Sequence, residues 1–210
     1  MRHGSATDLE RLKAAIASRP TRRSRLSLDG RIQAAVCVPL HQGALGLEVW
    51  AIKRMDTLRH HAREIAFPGG KPDPGDRDLL DTALRETEEE LGIERERLDV
   101  LGALTPVPTA TSRFTLNPFV VEVEPGAEAN PDAGEVAALI RMPFAEFFAG
   151  TVPFRAVDLG AGWRSPIFDF EVGSMYGASA HILEELLLVF AQLKKVRLPV
   201  PEATDEIPWQ

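Results

Sequence analysis

A glycine turn followed at once by a strongly acidic helical segment constrains this chain more than any other feature. The segment reads FPGGKPDPGDRDLLDTALRETEEELGI and occupies residues 67–93. The Gly-Gly pair predicts a tight turn after a short strand, EIAF, and a helix is expected to begin near Leu79. One face of this helix carries four residues at helical spacing: Leu80, Leu84, Thr87 and Leu91. Gly92 is well placed to end the helix.

A second face of the same helix is acidic. Glu86, Glu89 and Glu90 stand at positions i, i+3 and i+4, where like charges repel one another. A solvated acidic surface is one interpretation. The alternative is a site for Mg²⁺ or Mn²⁺, because the glycine loop can bring backbone carbonyls and Asp76 towards the same point and these hard oxygen ligands suit such ions. Arg85 could orient Glu86 or contact a phosphate.

The rest of the chain alternates strands and helices. TDLERLKAAIASRP predicts an amphipathic helix capped by Thr7 or Asp8, and GASAHILEELLLVFAQLKKV predicts a long helix. Predicted strands are IQAAVCVPL, LEVWAIKR, LDVLGAL, FTLNPFVVEV, VPFRAVDL, SPIFDFEV and EVAALIRMP, the last running into a helical turn, FAEFF. This mixture indicates an α/β sandwich with a mixed β-sheet. We divide the chain into an N-terminal helix and basic linker (1–30), a main domain (31–196) and a loose tail (197–210).

Composition excludes several classes of protein. A chain of 210 residues with 44% hydrophobic residues is long enough for one well-packed domain. Its net charge of −7 argues against a nucleic-acid partner. A single cysteine, Cys37, excludes an internal disulfide and suits a reducing compartment. With no apolar run of membrane-spanning length and no signal-peptide pattern, we predict a cytoplasmic protein without a membrane partner. The oligomeric state is left open, with a homodimer among the alternatives.

The acidic segment resembles the Nudix box, G-x5-E-x7-R-E-U-x-E-E-x-G-U, in which U is apolar. Gly70 matches the first glycine, Asp76 stands at the first acid, and RETEEELGI matches the second half with Thr87 in the apolar slot. Eight residues rather than seven separate Asp76 from Arg85. The resemblance implies a Nudix-type α/β/α sandwich with a mixed sheet.

The resemblance also implies a chemistry, since Nudix enzymes hydrolyse a nucleoside diphosphate linked to another moiety and use divalent metal ions. It assigns the metal, Mg²⁺ or Mn²⁺, to five residues: Gly70 through its carbonyl, Asp76, Glu86, Glu89 and Glu90. Arg85 would assist the reaction. The general base remains open between Glu86 and an acid outside the box. Glu135, in NPDAGEV, matches an acid of one Nudix group and is the candidate there.

That group is the coenzyme A pyrophosphatases, and the segment KRMDTLRHHAREIAFPGG is similar to their R-S-x-x-L-R-x-H-x-G-[EQ]-x-x-F-P-G-G. Arg63 stands where the group has glycine. The similarity implies a nucleotide-derived small-molecule substrate, coenzyme A or acyl-coenzyme A, cleaved to 3′,5′-ADP and 4′-phosphopantetheine. The implied substrate-binding residues are Arg54, Arg59, His61, Arg63 and Phe67, although His61 could be a plain loop residue and Phe67 a core residue.

Two alternatives remain. The first is a Nudix pyrophosphatase that acts on ADP-ribose, dinucleotides or nucleotides. The second is a Nudix-fold nucleotide-binding module without catalysis, against which the intact set of three acids speaks.

Overall fold

The computed structural model describes residues 7–19, 30–55, 64–110, 112–160 and 162–208. The helices are α1 (Asp8–Ala17), α2 (Leu79–Leu91), α3 (Phe144–Ala149) and α4 (Gly177–Lys194), with a short 3-10 helix at Arg95–Arg97. The strands are β1 (Ile32–Gly43), β2 (Gly46–Arg54), β3 (Ile65–Ala66), β4 (Gly69–Gly70), β5 (Leu98–Ala103), β6 (Val107–Pro108), β7 (Phe114–Val123), β8 (Val136–Pro143), β9 (Phe154–Gly160), β10 (Trp163–Phe170), β11 (Gly173–Met175) and β12 (Glu202–Ala203).

The first sheet is mixed, as predicted. Its main order is β3-β2-β1-β7-β5, with β4 also paired to β1, β6 to β7 and β8 to β2. Strands β1 and β7 run parallel, in a register that places Ile32 opposite Phe114. The other pairs in this sheet are antiparallel. The mixed sheet between helices confirms the expected Nudix-type sandwich.

Strand β1 is apolar along most of its length because both faces of the sheet are covered. Ala35 and Cys37 point into a core cluster shared with α2, whereas Val36, Val38 and Leu40 point into a larger cluster shared with α1 and α4. The two layers therefore meet at one central strand.

Helix α2 begins at Leu79 and ends at Gly92, as the sequence indicated. Its N-cap Asp78 accepts a hydrogen bond from the Asp81 N–H, and Gly92 adopts the left-handed conformation with φ 65°. Of the four residues predicted to share one face, Thr87 and Leu91 are buried; the other residues buried in this helix are Asp81, Thr82, Ala83 and Glu90. Leu80 and Leu84 are half-buried. The buried Ala83 packs in the smaller core cluster, with Leu79 and Leu84 partly buried against it.

Helices α1 and α4 cover the other face. Thr7 and Glu10 form a reciprocal capping box at the start of α1, and its Leu12 and Ile16 are almost fully buried in the larger cluster. Helix α4 contributes its long apolar stripe to the same cluster. The domain limits drawn from the sequence stay a prediction, and α1 packs directly on the main domain.

A second sheet, in the order β11-β10-β9-β12, packs beside α4. The prediction of a loose tail is wrong at one point, since β12 pairs in parallel with β9 and places Glu202 opposite Arg155. An ion pair of 2.7 Å between Arg155 and Glu206 also holds the tail. The physical reason is that β9 would otherwise leave an unpaired edge. In the described part of the chain, none of the helices has the length and apolar character needed to cross a membrane.

Candidate active site

The glycine loop lies directly against β1, and this position requires glycine. Gly69 and Gly70 pair antiparallel with Val36 and Ala35, so the turn predicted from sequence is also a short strand, β4. A Cβ atom on Gly69 would stand 2.3 Å from the Ala35 carbonyl oxygen, and one on Gly70 would stand 2.3 Å from Oε1 of Glu86. The missing side chains therefore let the Glu86 carboxylate reach the loop backbone.

Glu90 is the most buried acid of the site, with 1% of its surface exposed. Its Oε1 accepts a hydrogen bond of 2.7 Å from Arg54, and its Oε2 accepts one of 2.9 Å from the Gly69 N–H. Burial raises the pKa of Glu90 to about 7, although Arg54 and the Gly69 N–H oppose that rise and nearby Glu86 adds to it. The Arg54 and Gly69 contacts therefore compensate only part of the cost of burying the Glu90 charge.

Glu86 is half-buried beside the same loop. Burial is the main cause that raises the pKa of its carboxyl; Arg85, at 2.9 Å, lowers it, and Glu89 and Glu135 raise it further. The influence of Glu135, which is exposed at the start of β8, shows that this predicted acid lies on the same side as Glu86.

Arg85 organises a second group of acids. It donates to Oδ1 of Asp76 at 2.9 Å and to Oδ2 at 3.1 Å, to Glu89 at 2.9 Å and to the Lys71 carbonyl at 3.1 Å. Asp76 also accepts hydrogen bonds from the Thr82 hydroxyl and the Asp73 N–H. These contacts, with Arg85 first, lower the pKa of Asp76 well below its usual range. Asp76 thus anchors Arg85 and the loop.

The donor set fits a divalent cation, but only two acids are in place for it. Within the described ranges, no three His, Cys, Asp or Glu side chains converge as a ready-made metal-binding group. Glu89 is 58% exposed at its side chain and is held by Arg85. Glu86 and Glu90 face the same glycine loop, and burial is the main cause of the raised pKa of each carboxyl. A divalent cation such as Mg²⁺ or Mn²⁺ between them would favour their charged forms.

A pocket of about 380 Å³ opens beside the loop. Phe67, Gly69 and Gly70 line one wall, and the first turn of α4 lines the opposite wall. Tyr176, the N-cap residue of α4, donates a hydrogen bond of 3.0 Å from its hydroxyl to Oε1 of Glu64, which precedes β3. The size falls in the usual range for small-molecule sites.

A profile of the NUDIX domain family matches residues 31–159, which is more than half of the chain. The chain belongs to the Nudix family. Its matched segment begins just before β1 and includes the glycine loop, α2 and Glu135, so the Nudix residues discussed above all lie within it.

The curated Nudix relatives have the same family name. A protein of Cronobacter sakazakii, described as an uncharacterized Nudix hydrolase NudL, is 44% identical over 124 residues, which cover 59% of this chain and 62% of that protein. The NudL of Citrobacter koseri is 35% identical over 161 residues, which cover 75% of this chain and 82% of that protein. The chain therefore spans about three fifths of the length of the first of these relatives.

Solved Nudix structures resemble this chain at low sequence identity. A Nudix hydrolase from Alicyclobacillus acidocaldarius aligns with a TM-score of 0.47 at 16% identity, covering 81% of this chain and 98% of that one. The assignment to the Nudix fold rests on the family match and on the mixed sheet described above.

The remaining predicted site residues form two groups, one at the site and one outside the described residues. Arg54 is bound to Glu90 and Phe67 is buried in the pocket wall, so both lie at the site. Arg59, His61 and Arg63 lie outside the described residues. The roles predicted for all of these, and for the metal ligands of the Nudix box, stay predictions.

Sequence reasoning missed several pocket residues. His181 lines the pocket. So do Lys71, whose amine lies 5.0 Å from the ring centre of Phe114, and Leu159 at the end of β9. Only Lys71 had a signal in the sequence, its position directly after the Gly-Gly pair.

Proposed function

We propose that the protein is a divalent-metal-dependent pyrophosphohydrolase whose substrate is coenzyme A or an acyl-coenzyme A. The products would be 3′,5′-ADP and 4′-phosphopantetheine or its acylated form. The observation that carries the hydrolase proposal is the pair of carboxylates, Glu86 and Glu90, held against the Gly69–Gly70 loop with raised pKa values.

The residues of the site have separate roles in this proposal. Glu86 and Glu90 would hold Mg²⁺ or Mn²⁺, with the Gly70 carbonyl beside them. When bound, the ion supplies positive charge that stabilises the reacting phosphates and increases the acidity of the attacking water. Arg85 keeps the loop and Asp76 in position. Either Glu86 or Glu135 would accept the proton of the water.

The choice of coenzyme A rests on the residues before the box. Arg54, Glu64 and the stretch Phe67-Pro68-Gly69-Gly70 stand in register with the pattern of the coenzyme A pyrophosphatases. Glu64 lines the pocket beside the loop and accepts a hydrogen bond there from Tyr176. We therefore favour coenzyme A over ADP-ribose, dinucleotides and other nucleotides.

The test is a chromatographic assay with coenzyme A, ADP-ribose, NADH and diadenosine polyphosphates, each with Mg²⁺ or Mn²⁺. We expect 3′,5′-ADP from coenzyme A and a loss of at least about 100-fold in kcat/KM for Glu90→Gln, because the buried ligand is removed. The matched control is Glu88→Gln, two residues away on the same helix and paired with Arg95 at 2.9 Å. Its rate should stay within about twofold of native.

Each other outcome has a defined meaning. Cleavage of a different diphosphate would retain the hydrolase proposal and reject coenzyme A. No cleavage with either ion would favour a nucleotide-binding module. An equal loss in Glu88→Gln would show that the Glu90 result reflects the general charge of the helix.

A further inference from the structure

The pocket beside the glycine loop has two chemically different parts. Three charged residues line the pocket near the loop: Arg54, Glu64 and Lys71. The Arg54 side chain is bound to Glu90, and the Arg54 backbone N–H donates to the Glu64 carbonyl. Lys71 directly follows Gly70 in the chain. The rest of the lining is apolar or neutral. Its apolar members are Ala34, Val36, Phe114, Leu116 and Leu159.

Cations are scarce in this lining. Among its described residues only Arg54 and Lys71 carry a fixed positive charge, and Arg54 is already paired with the buried Glu90. Glu64 adds a negative charge. Among the lining residues that the structure describes, Lys71 alone is left to meet a substrate phosphate, so a second phosphate, such as that of adenosine 3′-phosphate, would be only weakly compensated here.

Neutral hydrogen-bonding groups are plentiful instead. Ser165, Ser179 and His181 line the pocket beside the first turn of α4. Burial lowers the pKa of His181; Glu184 opposes this shift and Arg164 adds to it, so the neutral imidazole is favoured near pH 7. The first backbone N–H groups of α4 have no acceptor within the helix, so they can donate hydrogen bonds to carbonyl oxygens of a ligand. Amides joined by short hydrocarbon segments match this lining.

We propose that this pocket binds the uncharged amide chain of the 4′-phosphopantetheine arm, with its hydrocarbon segments against Val36, Leu116 and Leu159. The adenosine 3′-phosphate arm lies outside the pocket. This proposal rests on the proposed function, because it divides the substrate at the pyrophosphate held by the glycine loop. It also accommodates an acyl group as an extension of an already neutral chain.

The test separates the two arms by using the two products as ligands. Calorimetry in the presence of Mg²⁺ measures the Kd of 4′-phosphopantetheine and of 3′,5′-ADP for the native protein and for Leu159→Lys. Leu159 is 53% exposed at the pocket rim, so the charge can be introduced without disturbing the core. The matched control is Leu188→Lys, a leucine of α4 that is 51% exposed and outside the pocket lining.

We expect Leu159→Lys to raise the Kd of 4′-phosphopantetheine at least about threefold, through the lost apolar contact. The Kd of 3′,5′-ADP should stay within twofold, and Leu188→Lys should change neither. If the pocket held the 3′-phosphate, the new lysine would instead tighten 3′,5′-ADP binding, and that result would overturn the proposal. Unchanged values for both ligands, or no binding of 4′-phosphopantetheine to native protein, would overturn it too.

This readout does not depend on turnover. If the protein cleaves another diphosphate but shows the expected product affinities, the proposed function fails and the pocket assignment stands. If coenzyme A is cleaved but Leu159→Lys leaves both affinities unchanged, the proposed function stands and the pocket assignment fails.

Discussion

At the residue scale, the acids of the site differ in burial and in the direction of their pKa shifts. Glu86 and Glu90 have raised pKa values because they are buried, although Arg85 contacts Glu86 and Arg54 contacts Glu90. Asp76 and Glu89 are also bound to Arg85, and this contact lowers the pKa of Asp76. The sequence put all four in one ligand set, the three glutamates from their spacing on one helix face and Asp76 from the resemblance to the Nudix box. Spacing along the chain does not show how deeply each acid is buried or which arginine contacts it.

The contacts of Asp76 lead to a prediction about its role. Asp76→Asn keeps the shape of the side chain but removes the charge that holds Arg85, so we expect kcat to fall roughly tenfold. The concentration of Mg²⁺ that gives half-maximal rate should stay within twofold, because the Arg85 anchor acts through the loop. A metal titration of the variant measures both quantities. A large rise in the Mg²⁺ concentration needed for half-maximal rate would indicate that Asp76 is a metal ligand after all.

The environment of His181 leads to a prediction of how the free energy of unfolding changes with pH. In the folded state, burial lowers the pKa of His181; Glu184 raises it and Arg164 lowers it further. Below about pH 6.5, the unfolded chain therefore binds a proton at this histidine, whereas the folded chain binds it only at lower pH. Stability from this group is therefore intact above pH 6.5 and is lost as the pH falls, by at most about 1.4 kcal/mol per pH unit.

His181→Gln should make the fall of the free energy of unfolding between pH 7 and pH 5 shallower, as measured by denaturant titration at each pH. At pH 8 the imidazole is neutral in both the folded and the unfolded state. The difference in free energy of unfolding between the two proteins at that pH therefore reports only the change in packing. Parallel pH curves for the two proteins would show that His181 does not titrate differently on folding.

At the scale of elements, the site depends on how closely β4 approaches α2. The two-residue strand β4 pairs with β1, and α2 packs beside it, so the Glu86 carboxylate occupies the space next to the Gly70 Cα. A helix and a strand can come this close only where one of them lacks a side chain.

The Gly70→Ala variant tests this approach. The added Cβ would stand 2.3 Å from Oε1 of Glu86, so the carboxylate must move and we expect kcat/KM to fall about 100-fold. The control is Gly75→Ala in the same loop, where the nearest atom, Oδ1 of Asp73, would be 3.7 Å away. We expect steady-state kinetics to give values of kcat/KM for the two variants that differ by at least tenfold. Equal values would mean that the loop or Glu86 moves to accommodate the added Cβ without loss of activity.

At the scale of the whole molecule, the pocket lies between parts of the chain that are far apart in sequence. The hydrogen bond from Tyr176 to Glu64 joins residues 112 positions apart and connects the start of α4 to the strand before the glycine loop. The second sheet meets the first at the same place, through β11 and β3. Closure of the pocket is thus a property of the complete domain.

Tyr176→Phe removes only the hydroxyl of this connection. We expect a loss of about 1 kcal/mol in the free energy of unfolding, the usual value of one such hydrogen bond. KM should rise about threefold to tenfold with kcat nearly unchanged, since the pocket wall loosens while the acids on α2 keep their places. Thermal unfolding and steady-state kinetics measure the two effects, and a loss confined to kcat would place Tyr176 in the chemistry instead.

Local patterns in the sequence predicted a large share of the fold. The start of α2 at Leu79, its C-cap at Gly92, the N-cap of α1, which falls on the first of the two candidates Thr7 and Asp8, and the extent of α4 all follow from signals within a few residues. The strands β1, β7 and β8 were predicted from their apolar runs. These elements were predictable because hydrogen-bonding and burial patterns repeat at short range.

Sequence alone determined the type of chemistry, because a glycine turn followed by three acids on one helix face is a local pattern. Tertiary structure decided which acids are available, since Arg54 reaches Glu90 from 36 residues away and Arg85 takes up Asp76. It also decided the pairing of β12 and the composition of the pocket. The physical reason is that ion pairing, burial and sheet edges depend on neighbours in space, and these are set only when distant segments pack together.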